Sequence, residues 1–239
     1  MPIYLGNQKI GLARLGSISV NNIIGNIQSQ PEYVTGGLIL YMDSTVAASY
    51  PGSGTSWFNL VSGQPYVGTL GSSVTYTGGY LQTVSTTNGE ILITTSSFTT
   101  GPYTIMSATR YTDTVSNGRM LAGRTNNWLS GQWSNSTENY FAENWVYGVG
   151  GGPNDTNWRI YTATGDQSSD SWSYFINGVN VVSGSTEGIS GPNGLRVAIG
   201  EGGGERSDGQ IAFVMVYNKI LSQAEVTQNY NVLKSKVGL

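Results

Sequence analysis

Along the chain, apolar and polar positions alternate over short stretches, and Gly, Asn or Ser interrupts the pattern roughly every ten residues. Runs of Val, Ile, Thr and Tyr bounded by such breaks predict strands, because branched and aromatic side chains suit a pleated, half-buried surface. The stretches that read this way are 38–42, 80–82, 90–94, 103–111, 119–121, 140–146, 158–164, 171–176, 179–182, 196–199 and 210–217. Between two of them, Asn177 and Gly178 tolerate positive φ and predict a two-residue hairpin turn. One stretch alone has helical spacing. Val226, Tyr230, Leu233 and Val237 recur at steps of four, three and four. Ser222 and Glu225 form a capping-box pattern ahead of them, with Leu221 placed to staple against Val226. Gly238 is a natural stop.

Many short strands at this spacing predict an all-β, two-sheet antiparallel sandwich, closed by one C-terminal helix lying across its rim. The first 35 residues differ in character. Ile3, Leu5, Ile10, Leu12 and Leu15 are followed by five more aliphatics before residue 28, and 28–32 then reads as a linker. Such a segment is too short to fold alone and too apolar for a solvated tail. It predicts an extended arm, 1–35, for assembly or docking, ahead of a sandwich domain, 36–239.

Composition narrows the chemistry. Charged residues make up 10% of the chain, against roughly 25% in an average soluble domain. Polarity comes instead from 28 Ser, 24 Thr and 20 Asn. There is no Cys and no His. These zeros remove disulfides, thiolate nucleophiles, imidazole bases and His- or Cys-ligated metals. Eleven cations against 14 acids, a net charge of −3, give no basic face for nucleic acid. No apolar run approaches the 18 or so residues that predict a membrane span. The opening Met1–Gly6 lacks the basic flank and apolar core of a secretory signal, so the expected site of synthesis and assembly is a host cytoplasm.

Two segments and a link between them carry a family resemblance. The first is Gly37-Leu38-Ile39-Leu40-Tyr41-Met42-Asp43 with the later Trp57-Phe58-Asn59-Leu60. The second runs from Asp208-Gly209-Gln210 through Val216-Tyr217-Asn218 to Ser222, Glu225 and Asn229-Tyr230, with Phe175-Ile176-Asn177-Gly178 between the two. Together they resemble the laminin-G-like, concanavalin A-like jelly-roll domain, in the version carried by virion structural proteins of tailed bacteriophages. The resemblance implies two face-to-face antiparallel sheets with a terminal helix. It leaves activity open, because relatives bind sugars, proteins or calcium, or hydrolyse glucans. One departure is Asn59, where relatives often carry Asp.

Candidate sites follow from residue chemistry. Trp128 and Trp133, with Asn126 and Asn127 beside them, are expected in a loop where rings stack on sugars and amides bond hydroxyls. Trp145, Trp158 and Trp172 fall in strand patterns and are expected to pack. Glu201, Glu205 and Asp208, in a glycine-rich stretch, are weak calcium candidates, since calcium takes several oxygens from a flexible loop and Arg206 among them opposes a cation. The Glu-x-Asp-x-Glu strand of the superfamily's glucanases is absent. Glu138 with Glu143, or Asp166 with Asp170, remain as the carboxylate pairs that glycoside hydrolysis would need.

The expected function is therefore structural and not enzymatic: a capsid decoration or tail protein of a phage virion, binding neighbouring capsid or tail subunits, oligomeric in the particle, without cofactor apart from the calcium option. The alternative is a lectin-like adhesin for host-surface glycans. Surface layout separates them. An adhesin needs a concave patch with Trp and carboxylates, whereas a decoration protein needs an apolar contact surface and no pocket.

Overall fold

The computed structural model describes residues 4–5, 8–9, 32–94, 101–115 and 118–239. The chain divides into Met1–Glu32 and Tyr33–Leu239. Within the first unit, β1 (Tyr4–Leu5) pairs antiparallel with β2 (Gln8–Lys9), Tyr4 opposite Lys9 and Leu5 opposite Gln8. Of the arm residues singled out by sequence, Ile3, Ile10, Leu12 and Leu15 lie outside the described residues, and Leu5 is described only as backbone of β1.

The second unit is an antiparallel sandwich. In the first sheet the order is β13 (Trp145–Tyr147), β12 (Ser136–Ala142), β11 (Trp128–Trp133), β10 (Leu121–Gly123), β17 (Leu195–Val197), β8 (Ile91–Thr94), β5 (Val67–Leu70), β4 (Ser56–Phe58). In the second it is β16 (Val179–Ser185), β15 (Ser171–Ile176), β14 (Arg159–Asp166), β9 (Tyr103–Tyr111), β18 (Gly209–Tyr217), β7 (Tyr80–Thr83), β6 (Thr75–Thr77), with β3 (Leu38–Asp43) on the other half of β18's edge. The central strand β18 is buried along its whole length. A strand covered on both faces reads as a continuous apolar run, as Ile211–Tyr217 does.

Alternation sorts the side chains into two cores. Tyr103, Ile105 and Tyr111 of β9 point between the sheets with Leu121, Trp128 and Tyr140. Met106 and Ala108 point outward with Phe213, Met215 and Tyr217. The outward set is covered by α1 (Gln223–Leu233) and the 3₁₀ turn Lys234–Val237 through Leu221, Val226, Leu233 and Val237. The helix thus lies on the outer face of the second sheet and not across the rim, because that is where β18 leaves large apolar side chains uncovered. Its capping box forms as expected: Ser222 Oγ accepts from Glu225 N, and Glu225 accepts from Ser222 N at 2.8 Å. Gly238 closes the segment in the left-handed region at φ 74°. Asn229, fully buried in α1, donates to Tyr217 Oη at 2.9 Å and accepts from Val34 N at 2.8 Å. Tyr217 in turn donates to Val34 O at 2.8 Å, so Val34 belongs to the sandwich.

The inter-sheet core is partly polar. Tyr103 and Tyr140 share a hydrogen bond of 2.6 Å, and Trp128 Nε1 donates to Tyr103 Oη at 3.0 Å. Burial pushes the Tyr103 hydroxyl up to about 12. Gln132 spans the sheets, accepting from Thr109 Oγ1 at 2.8 Å and donating to Thr109 O at 3.1 Å. Strands β4, β5, β6 and β11 depart from the sequence expectation, as does the predicted 140–146 strand, which is two strands, β12 and β13, with Glu143 at φ 58° between them.

Candidate functional site

The hairpin β11–β12 turns on two residues, Ser134 and Asn135, at φ 51° and 61°, with Trp133 opposite Ser136. Both central residues left-handed is the two-residue hairpin geometry that matches strand twist. Asn takes this region readily, whereas Ser is strained there by roughly 1 kcal/mol. The turn sets Trp133 at the hairpin tip. Its ring packs on Trp145 of β13 at 4.9 Å between centroids and 56° between planes. Trp145 meets Phe141 edge-on at 5.1 Å. An aromatic strip thus crosses three strands at the open edge of the first sheet, all three rings half-buried.

A glycine-rich loop between β17 and β18 supplies the facing wall. Glu205, at φ 51°, accepts from Trp133 Nε1 on one oxygen at 2.7 Å and meets Arg119 Nε on the other at 2.6 Å. Arg119 is nearly buried and also donates to Asn127 Oδ1 at 2.7 Å. The indole plane is therefore fixed by a chain running Trp133, Glu205, Arg119, Asn127. The next loop residue, Arg206, pairs with Glu90 and donates to Thr86 O at 3.1 Å. Between hairpin and loop lies a cleft of about 570 Å³, bordered by Trp133, Ser134, Ser85, Gly203, Gly204, Glu205 and Arg206. A smaller recess of about 280 Å³ opens beside Glu138, Tyr147 and Gly148.

The sequence-predicted residues separate. Trp133 borders the cleft. Trp128 is not in a loop: it starts β11, is fully buried, and gives its N–H to Tyr103. Asn126 donates to Ser190 Oγ at 3.1 Å and Gly191 O at 2.8 Å, which pins a neighbouring loop. Asn127 holds Arg119; its carbonyl accepts from Glu143 N at 2.9 Å and its own N–H donates to the Glu143 carboxylate at 2.7 Å. Asn127 thus supports the site from behind through Arg119, whereas Asn126 serves the neighbouring loop. Of the calcium candidates, Glu205 is taken by Arg119, Asp208 accepts from Ser85 N at 3.3 Å, and the Glu201 side chain lies outside the described residues. Among the described residues no three acidic side chains gather to hold a metal ion.

Members of both carboxylate pairs are engaged locally. Glu138 accepts from Arg159 Nε at 3.0 Å, and Asp155 grips the same guanidinium at 2.7 and 2.9 Å. That grip lowers the Asp155 carboxyl to about 2. Asp166 caps its own turn through Ser168 and Ser169. Trp172 is core, and half-buried Trp158 carries Arg110 over its ring at 5.0 Å. Ser134 and Arg119, and the roles of Arg206 and Trp145 at the cleft, were not legible in the sequence. The dipeptide Ser134-Asn135 between two aromatic-rich runs was the available turn signal.

Comparison with known proteins agrees with this architecture. A family model described as concanavalin A-like lectin/glucanases superfamily matches residues 85–227, more than half of the chain. No curated protein matches the chain by sequence. Among solved structures, the binding domain of Paraclostridial Mosquitocidal Protein 1 is 15% identical with a TM-score of 0.58, covering 82% of this chain and 52% of that one. Trypanosoma rangeli sialidase in complex with the inhibitor DANA is 12% identical with a TM-score of 0.59, covering 82% and 33%. The binding domain of Botulinum Neurotoxin DC in complex with SialylT is 15% identical with a TM-score of 0.57, covering 82% and 52%. The chain thus spans about half the length of the toxin domains and a third of the sialidase. At these identities the likeness is one of fold. Two packed antiparallel sheets, the helix on β18 and the matched model together place the chain in the concanavalin A-like lectin/glucanases superfamily, to which it belongs.

Proposed function

We propose that the chain is a lectin-like module that binds glycans in the cleft between the Trp133 hairpin and the Glu205 loop, without cleaving them. The observation that carries this reading is the posture of Trp133. Its N–H is held by Glu205 at 2.7 Å and its ring rests on Trp145, so one aromatic face is held rigid at the border of a polar cleft. A pyranose presents a face of C–H groups that packs on such a ring, while its hydroxyls need polar partners at the rim. Ser85, Ser134 and the backbone of Gly203 and Gly204 supply them. Solved relatives of the fold lend support, since one is a complex with a sialylated ligand and another concerns entry through two ganglioside molecules. The same layout, an indole and a carboxylate lining a cleft, favours the adhesin over the flat contact surface of a decoration protein. Binding without hydrolysis is supported by Glu205, both of whose oxygens are occupied, and by the Arg159 grip on Glu138.

We place this module on a phage virion, with the aliphatic arm docking it onto capsid or tail subunits. This setting rests on the sequence resemblance and on the apolar run before residue 28. Immobilised glycans probed with the full chain test the binding reading. The wild type retains oligosaccharides and Trp133→Ala does not, at unchanged melting temperature. Equal retention by both proteins contradicts it.

A further inference from the structure

We infer that the cleft selects uncharged sugars over their carboxylated counterparts, a choice that rests on the binding reading above and names its ligand class. The reason is the charge inventory of the walls. One guanidinium group, that of Arg206, borders the cleft and a second, that of Arg119, stands behind Glu205; each is already neutralised within the chain. Arg119 faces Glu205 at 2.6 Å, and Arg206 is paired with Glu90 and with the carbonyl of Thr86 at 3.1 Å. The Arg206–Glu90 pair is not a loose surface pair, and Arg119 is nearly buried although Glu205 is 39% exposed. The Arg119 side chain is 9% exposed, and those of Arg206 and Glu90 are 22% and 17% exposed.

Recruiting Arg206 to a ligand carboxylate would strip Glu90, only 17% exposed, of its partner, which costs more than a new exposed pair returns, and recruiting Arg119 would draw a nearly buried guanidinium away from Glu205. For Arg119 the loss reaches further, because Glu205 also holds the Trp133 ring. A ligand carboxylate entering the cleft would find hydroxyls, glycine backbone and an indole face, with Glu205 at hand. The net charge of −3 adds long-range repulsion. Neutral hydroxyl-rich ligands meet none of these penalties and match the donors and acceptors left free. Selectivity here comes from pairing the cations off in advance, so that a charged ligand finds no free counter-charge to offset its lost hydration.

The test compares each neutral glycan that the full chain retains with the same glycan carrying a carboxylate, either a terminal sialic acid or a terminal hexose oxidised to its uronic acid. Affinities are read by titration calorimetry at physiological salt. The expected result is at least about tenfold weaker binding of the carboxylated partner, a difference of about 1.4 kcal/mol. In Glu90→Gln, which leaves Arg206 without its counter-charge, the gap narrows several-fold while neutral binding persists. Equal or tighter binding of the carboxylated partner by the wild type overturns the selectivity and leaves the binding reading standing. Retention of no glycan at all overturns both.

Discussion

Asn59 shows how a single side chain organises a strand crossing. Its Oδ1 accepts from Tyr41 N at 2.8 Å and Val61 N at 3.1 Å, and its Nδ2 donates to Ile39 O at 3.1 Å. An Asp would accept the two amides but turn its second oxygen on a carbonyl, which accounts for the amide at a position where relatives often carry the acid. Asn59→Ala leaves the amides unpaired and is expected to cost about 1–3 kcal/mol in urea denaturation. Asp155 makes a pH prediction. Its carboxyl falls from 3.8 to about 2 through the hydrogen bonds of Arg159. The folded form is the stronger acid, so this stabilisation is full above pH 3.8 and disappears as pH falls through about 2. The stability gap between wild type and Asp155→Asn should therefore be constant near neutrality and vanish across that window. At this scale the sequence was half legible. The indoles of Trp128 and Trp133 are indistinguishable as letters, yet one fills the core and the other borders the cleft. The difference lies in which strand face each occupies, and that depends on the register with β12.

Elements differ in how openly they announce themselves. The helix was readable because caps and spacing are local: Ser222, Glu225, Val226 and Leu233 all act as their pattern implies. Strand β11 was hidden because its polar residues Ser130 and Gln132 point into the protein, where Gln132 is satisfied by Thr109 of the opposite sheet. No alternation rule anticipates an inward glutamine, since its partner lies 23 residues away. The position of the helix was hidden in the sequence for a related reason. The need for a cover arises from β18, whose outer residues become adjacent to the helix only in the folded sheet. Truncation after Lys219 should accordingly uncover Met106, Phe213 and Met215 as well as remove Leu221, Val226 and Leu233. Each buried side chain contributes roughly 1.5–3 kcal/mol as an upper value. Ser222→Ala costs only about 1 kcal/mol. Melting curves should rank the truncation far below Ser222→Ala. Equal curves for the truncated and intact chains would make the helix a peripheral ornament.

For the whole molecule, a chemically quiet sequence builds a two-sheet frame, and part of its unusual backbone borders the cleft. Ser134, Asn135 and Glu205 all take positive φ around the cleft. Strain of this kind persists where surrounding structure over-determines it, and it gathers at sites that bind. The arm belongs to a different prediction. Val34 is bonded to Asn229 and Tyr217, so a clean deletion stops at Glu32. That truncated chain should melt like the full one and fail to join its particle or oligomer; an unfolded product would make the arm part of the domain. Glycan binding against Trp133 can be read directly from the indole N–H resonances of the six tryptophans in a ¹⁵N-labelled sample. On titration with a retained neutral oligosaccharide, the Trp133 resonance, assigned through Trp133→Phe, should shift in a saturable manner, while those of fully buried Trp57 and Trp128 stay in place. Saturable shifts confined to other tryptophans, with Trp133 unmoved, would contradict the account.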